Sequence, residues 1–189
     1  MRYRTIVADP PWDSDDTNWN PGRLDHRGRS GTVEPRATTV PYGCMSLAEI
    51  AAIPVEEWAD ANAHLYLWTT QRFLRASFEV AEKWGFRVSA TLVWCKAPMG
   101  FMGGTFYGSS TEFCQFATRG QVSAQSRVGR RWFEWPRGVH SAKPEGFIDM
   151  VEQVSPEPRL EMFARRARFG WDTWGDQSLG TAQMPGEAA

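Results

Sequence analysis

Cysteine is scarce in this sequence: Cys44, Cys95 and Cys114 are all there is, too few and too scattered for a disulfide framework or a zinc site. A reducing, cytoplasmic setting is the simplest expectation. The three histidines, His26, His64 and His140, form no ligand cluster with cysteine, which excludes a deaminase-type zinc centre, and no metal is expected. Long apolar runs are missing as well. Stretches such as Ala63 to Trp68 fall far short of the roughly 18 residues of a membrane span, and Met1-Arg2-Tyr3-Arg4 leads into no signal-peptide core, so neither an anchor nor a leader is expected. Charge of one sign is absent: 21 Lys and Arg against 22 Asp and Glu leave a formal net charge of -1. Any attraction to nucleic acid must therefore come from local clusters of basic groups. The glycines Gly100, Gly103 and Gly104 precede no Lys-Ser/Thr pair, which removes a Walker A loop, and there is no G-x-S-x-G elbow.

What is present fits one α/β domain. The chain has 189 residues, 42% of them hydrophobic and 23% charged, so a single core is within reach and disorder or coiled coil are poor readings. Residues 1–179 read as one domain and 180–189 as a frayed tail. Tyr3 to Ala8 reads as a strand that stops at Asp9, because Pro10 and Pro11 cannot continue a ladder. The segment from Asp13 to Gly43 is a long aperiodic loop. Ser46 and Glu49 form a capping box for a helix broken near Pro54. Further strands are expected at His64 to Trp68, Arg87 to Trp94, Glu112 to Thr118 and, last, Arg159 to Ala164. Helices are expected over Gln71 to Trp84 and from Pro144, with a Gly-rich loop at Pro98 to Ser110 and an Arg-rich loop at Arg119 to Arg137. Strands alternating with helices predict βαβ units in a mainly parallel sheet, whose ligands sit beyond the carboxyl ends of the strands. Ten Trp, eleven Phe and four Tyr stand out in one domain; a core needs some of them, and a planar ligand could use others.

Asp9-Pro10-Pro11-Trp12 is the strongest local signal. It reads either as a rigid strand terminus followed by an ordinary surface Trp, or as a clamp for an aromatic amine. The exocyclic amine of adenine is a poor nucleophile because its lone pair is conjugated into the ring. Acceptors at fixed points can draw it toward an attacking geometry. The Asp9 carboxylate and the Pro10 carbonyl are such acceptors, and the proline ring presets the carbonyl direction. Trp12 offers a face for stacking, worth about 1 to 3 kcal/mol per base in nucleic-acid sites. That gain offsets part of the few kcal/mol needed to extrude a base from a duplex.

Several motifs occur in a telling order. They are Asp9-Pro10-Pro11-Trp12, Pro41-Tyr42-Gly43-Cys44-Met45-Ser46, His64-Leu65-Tyr66-Leu67-Trp68, Leu92-Val93-Trp94-Cys95-Lys96, His140-Ser141-Ala142-Lys143-Pro144, Leu160-Glu161-Met162-Phe163-Ala164-Arg165, and the run Gly170 to Gln177 with Trp171, Trp174, Asp176 and Gln177. From Tyr3 to Gln177 the sequence resembles the MT-A type adenine-N6 methyltransferases. That family holds the catalytic subunit of the eukaryotic mRNA adenosine methylase and bacterial and phage DNA-modifying relatives. The resemblance implies a Rossmann-like methyltransferase fold with permuted, beta-class motif order and S-adenosylmethionine as methyl donor. It implies catalytic roles for Asp9, Pro10, Pro11 and Trp12. It implies cofactor contacts from Lys143 to the methionine carboxylate, Arg165 near the ribose, Asp176 and Gln177 to ribose hydroxyls or adenine, and Glu161 to ribose or Arg165. Tyr42, Trp94, Lys96 and Glu112 match positions lining the acceptor pocket. Relatives often carry Asn where Asp176 stands, which replaces a donor by an acceptor-only group. Simpler roles stay open: Glu161 and Arg165 as a plain ion pair, Trp68 and Trp94 as core, Cys95 and Cys114 as small core residues, and His140 as a turn residue.

The acceptor is read from clustered charge. Arg119, Arg127, Arg130, Arg131 and Arg137 lie in one stretch with Trp132, Phe133 and Trp135, a phosphate-contacting and stacking pattern in which Arg130 and Arg131 are the substrate-binding candidates. Arg23, Arg27, Arg29 and Arg36 form a second group; either group can instead be simply solvated. The expected activity is site-specific methylation of adenine N6 in DNA by direct in-line transfer. RNA methylation, a catalytically silent nucleic-acid-binding subunit and a small-molecule amine methylase remain alternatives. Nucleic acid is the expected partner, with no membrane, and with a homodimer or a heterodimer with a related subunit as possible assemblies.

Overall fold

The computed structural model describes residues 2–12, 44–97, 110–136 and 143–175. In chain order its elements are β1 (Tyr3–Ala8), α1 (Leu47–Ala52), α2 (Val55–Trp58), β2 (Ala59–Thr69), a 3-10 turn (Gln71–Phe73), α3 (Leu74–Lys83), β3 (Arg87–Ala97), β4 (Thr111–Arg119), β5 (Trp132–Pro136), α4 (Glu145–Val154), β6 (Arg159–Met162) and β7 (Trp171–Trp174). The strands form one sheet in the order β5-β3-β4-β2-β1-β6-β7. The pairs β1–β2, β1–β6, β3–β5 and β6–β7 are parallel, whereas β4 runs antiparallel to both β2 and β3. The fold is thus the expected Rossmann-like α/β architecture, a mainly parallel sheet in which, among the described residues, β4 alone runs antiparallel to its neighbours.

Local chemistry sets the boundaries. The Ser46 hydroxyl accepts from the Glu49 amide at 3.3 Å and the Glu49 carboxylate accepts from the Ser46 amide at 2.8 Å, the reciprocal box that starts α1. Pro54 separates α1 from α2. Three expectations need correction. Trp132–Pro136 is not loop but the edge strand β5, where Pro136 costs no ladder bond because one side of the strand is unpaired. The strand expected over Arg159 to Ala164 ends at Met162, because Phe163 turns into the left-handed region (φ 60°) and donates its amide to the Trp174 carbonyl at 2.6 Å. Nor is it the last strand, since β7 pairs beside it.

Helices cover both faces, so β1 from Thr5 to Ala8 and the second half of β2 are buried, while Arg4 is exposed. One core packs Ile6, Leu65, Leu67, Val80, Ala81 and Trp84 beneath α1 and α3; the other packs Val7, Tyr66, Trp68, Trp94 and Phe147 beneath α4. From β1 the chain crosses to β2 on one side, while β6 lies on the other, so the carboxyl end of β1 is a topological switch point. Asp9 follows it directly.

Away from that end, the buried Ser155 hydroxyl lies 2.8 Å from both His64 Nδ1 and the Tyr66 hydroxyl. Burial, aided by Arg4, depresses the His64 imidazole to about 4, so it is neutral at physiological pH. Its unfolded value is about 6.5. Between those two values the unfolded chain binds more protons, so stability is present above about pH 6.5 and falls as pH drops toward 4. The loss should amount to about 2 to 3 kcal/mol. Urea midpoints across that range should show the slope, and His64→Gln should flatten it; an equally steep slope in the variant would refute the assignment.

Candidate active site

The carboxyl ends of β1 and β6 and the start of α4 converge on a cleft of about 160 Å3. Asp9, Lys143, Glu161 and Arg165, four of the expected site residues, line it together with Trp68 and Phe147. Asp9 and Lys143, 134 residues apart, meet at 2.7 Å between Oδ2 and Nζ. Lys143 Nζ also lies 3.3 Å from Glu112 Oε2 and sits 5.2 Å from the Trp68 ring centroid. Glu112 is paired from its other side by Lys96, whose ammonium rests 5.2 Å from the Trp94 ring centroid. Lys96, Glu112, Lys143 and Asp9 thus alternate in sign across β3, β4, the α4 entry and β1.

That alternation governs protonation. Burial alone would lower the Lys143 pKa, but Asp9 and Glu112 more than compensate and hold it above the ordinary value. Burial would raise the Glu112 carboxyl, yet Lys143 and Lys96 bring it below the usual carboxylate range. Glu161 goes the other way: burial raises it, Arg168 offsets part of the rise, and the Asp9 charge adds to it.

The turn after β1 is tied down by its own backbone. The Pro10 carbonyl accepts the Trp12 amide at 2.9 Å and the Pro11 carbonyl accepts the Met45 amide at 2.9 Å. The Trp12 indole donates to the Trp68 carbonyl at 3.0 Å and stacks on Phe73 with centroids 5.6 Å apart. Trp12 is therefore half-buried with one face covered, and it flanks the cleft rather than lining it. Trp94 is buried, donates to the Trp135 carbonyl at 2.9 Å and packs edge-on against Trp68, as a core residue does. Lys96 and Glu112 are joined to the cleft through Lys143. Arg130 and Arg131 are exposed at the entrance to β5, with Arg130 over the Trp132 and Phe133 rings. With β5 four positions from β1 in the sheet, these arginines stand about 19 Å across from the cleft at ~4.8 Å per strand. Tyr42, Arg137, His140, Asp176, Gln177 and the Arg23 to Arg36 group lie outside the described residues.

Sequence reasoning missed three residues. Arg166 and Arg168 line the cleft and both pair with Glu145 in the first turn of α4, bracing the β6–β7 connection against the helix. The run Arg165-Arg166-Ala167-Arg168 just past a strand end was the available signal. Phe163, in its left-handed conformation, packs its ring edge-on against Trp174. A Cβ at Gly175 (φ 138°) would stand 3.0 Å from the Phe163 Cα, so only glycine lets the two connections close.

The donor set fits S-adenosylmethionine. Two buried polar atoms of cleft residues, Trp68 Nε1 and Glu161 Oε2, have no hydrogen-bond partner among the described residues. An orphan donor and an orphan acceptor beside an ammonium suit a ligand that carries both a carboxylate and N–H or O–H donors.

The MT-A70 family model matches residues 3–177. The chain is similar to the Type II methyltransferase M.MunI of Mycoplasma sp, 29% identical over 92% of this chain and 77% of that protein. It is also similar to a putative N(6)-adenosine-methyltransferase MT-A70-like of Medicago truncatula, 24% identical over 95% of this chain and 27% of that one. A probable MT-A70-like enzyme of Oryza sativa is 25% identical over 95% of the chain and 23% of its own length. The chain thus spans about a quarter of the plant proteins.

Proposed function

The chain belongs to the MT-A70 family of methyltransferases, and from that premise we propose that it transfers a methyl group from S-adenosylmethionine to the N6 amine of adenine in DNA. The observation that carries the reading is the contact between Asp9 and Lys143 in one cleft beyond the carboxyl ends of β1 and β6. Bound there, the cofactor would supply an activated methyl on a sulfonium. Lys143 would hold the cofactor's carboxylate, and Arg165 with Glu161 would take its ribose. By resemblance, Asp176 and Gln177, which lie outside the described residues, would contact the cofactor's ribose or adenine. Asp9 accepts the amine hydrogens, keeping Oδ1 for the base while Lys143 engages Oδ2. The Pro10 carbonyl retains a lone pair beyond the one used by Trp12. Trp12 presents its uncovered face to the base; the resemblance adds Tyr42 to that pocket, while Trp94, packed in the core, backs it from behind.

The similarity to a Type II methyltransferase over most of that protein's length supports DNA. The plant relatives named as N(6)-adenosine-methyltransferases support RNA as a second reading. Arg130 and Arg131, exposed beside the Trp132 ring, suit contacts with phosphates and a base away from the target. Three free thiols agree with a cytoplasmic setting, and no helix among the described residues is long and apolar enough to cross a membrane. Labelled cofactor with matched DNA and RNA oligonucleotides tests the choice. DNA should be the preferred acceptor with label on adenine N6. Preferential labelling of RNA would reverse the choice, and label on neither would reject the reading.

A further inference from the structure

We propose that Lys96 is a positioning residue for the cofactor side of the cleft: it neutralises Glu112 from β3 and thereby leaves Lys143 available to the cofactor's carboxylate. The inference rests on the methyltransferase reading above and changes the part that Lys96 plays in it, from acceptor-pocket wall to support for the donor site.

The unequal backing of the two carboxylates that hold Lys143 carries it. Glu112 offers one oxygen to Lys96 and the other to Lys143. Asp9 has Lys143 as its only ion-pair partner among the described residues. Lys143 is enclosed by Asp9, Glu112 and the Trp68 ring, so an incoming carboxylate has to share it with, or take it from, the protein's own anions. Glu112 can yield it, because Lys96 remains and a buried charge is not left unpaired. Asp9 cannot do so unless it gains donors of its own, and the two N–H groups of an adenine amine are such donors.

The scaffold keeps the two lysines apart. Lys96 lies over Trp94 and Lys143 over Trp68, and these rings meet edge-on with centroids 6.1 Å apart. Strand pairing sets Trp94 opposite Glu112 and ties the Lys96 amide to the Ser110 carbonyl at 2.9 Å. Glu112 is therefore fixed between two ammonium groups that cannot merge. Without Lys96 its full charge would fall on Lys143, and the cofactor would compete with a stronger claimant.

Calorimetric titration of the whole chain with S-adenosylmethionine, with no nucleic acid present, tests this. Lys96→Met should raise the cofactor Kd roughly five- to tenfold, in the range of ordinary coupling energies. Glu112→Gln should lower it, and Lys96→Met combined with Glu112→Gln should return it to within about twofold of wild type, because the charge that Lys96 offsets is gone. Lys96→Arg should bind like wild type. An unchanged cofactor Kd in Lys96→Met, with only the KM for nucleic acid raised, would restore Lys96 to the acceptor pocket and overturn the inference. Weaker binding in Glu112→Gln would overturn it independently, even if Lys96→Met failed to fold. Wild-type protein that binds no cofactor would reject the methyltransferase reading itself, which is a distinguishable failure.

Discussion

Replacing Asp9 by alanine should lower kcat/KM for adenine methylation by about three orders of magnitude while leaving cofactor affinity within a few-fold of wild type. The amine of adenine must be held with its lone pair turned out of the ring plane, and Asp9 is the charged acceptor at the mouth of β1 that can do it. Losing one preorganised partner at a reacting centre typically costs about 10²- to 10³-fold, and losing the near-attack orientation adds to that. Stability should change little. Lys143 keeps Glu112 at 3.3 Å, and the backbone bonds from Trp12 to Pro10 and from Met45 to Pro11 do not involve the side chain. Asp9→Asn should fall between the two, because its amide oxygen still accepts while the charge is gone. Steady-state methylation and a separate cofactor titration read the two quantities. An alanine variant within tenfold of wild-type turnover would dismiss the clamp.

Short-range features of the fold could be read in advance because the forces behind them act over a few residues. The two prolines end β1 at Ala8, Ser46 and Glu49 start α1, and Pro54 breaks it, as local donor and acceptor bookkeeping requires. β5 was hidden because Trp132, Phe133 and Trp135 put aromatic rings on both faces between arginines, a composition shared by strand and solvated loop. β7 is only four residues long, although its buried-exposed alternation was present in Trp171, Asp172 and Thr173. The direction of β4 was out of reach. It depends on which strands become its neighbours, and that is settled by the packing of distant segments.

The site divides along similar lines. The Asp9 turn announced itself through proline chemistry. Lys143, Glu161 and Arg165 came from a resemblance, since spacing alone cannot bring positions 9 and 143 to 2.7 Å. The resemblance assigned Glu112 and Lys96 to the acceptor but was silent on what they do to each other. Only the register of β3 against β4, which sets Trp94 opposite Glu112, reveals Glu112 as a bridge between two cations. The arginines that pair with Glu145 were invisible for the same reason: their partner belongs to another element.

Lys143→Met should weaken cofactor binding about 100-fold, roughly 2.7 kcal/mol, and destabilise the fold by about 2 to 4 kcal/mol at neutral pH. Methionine keeps the unbranched stem of lysine and is one atom shorter, so the loss falls mainly on the charge. Both effects have one origin, because two carboxylates in a partly enclosed cleft lose the ammonium they share. Glu112 retains Lys96, but Asp9 is left with no ion-pair partner among the described residues. The stability part carries a pH signature. A carboxyl held below its ordinary value, as Glu112 is by Lys143 and Lys96, contributes stability that is present above the unfolded carboxylate value and lost as pH falls through the folded one. The gap between wild type and variant should therefore be widest near pH 7 and close progressively below about pH 4.5. The His64 contribution is common to both proteins and cancels in the difference. Urea melts of the pair at pH 7, 5 and 4 measure the gap directly. A gap of constant size would mean that Lys143 supports the fold through packing alone, and the charge alternation from Lys96 to Asp9 would lose its energetic meaning.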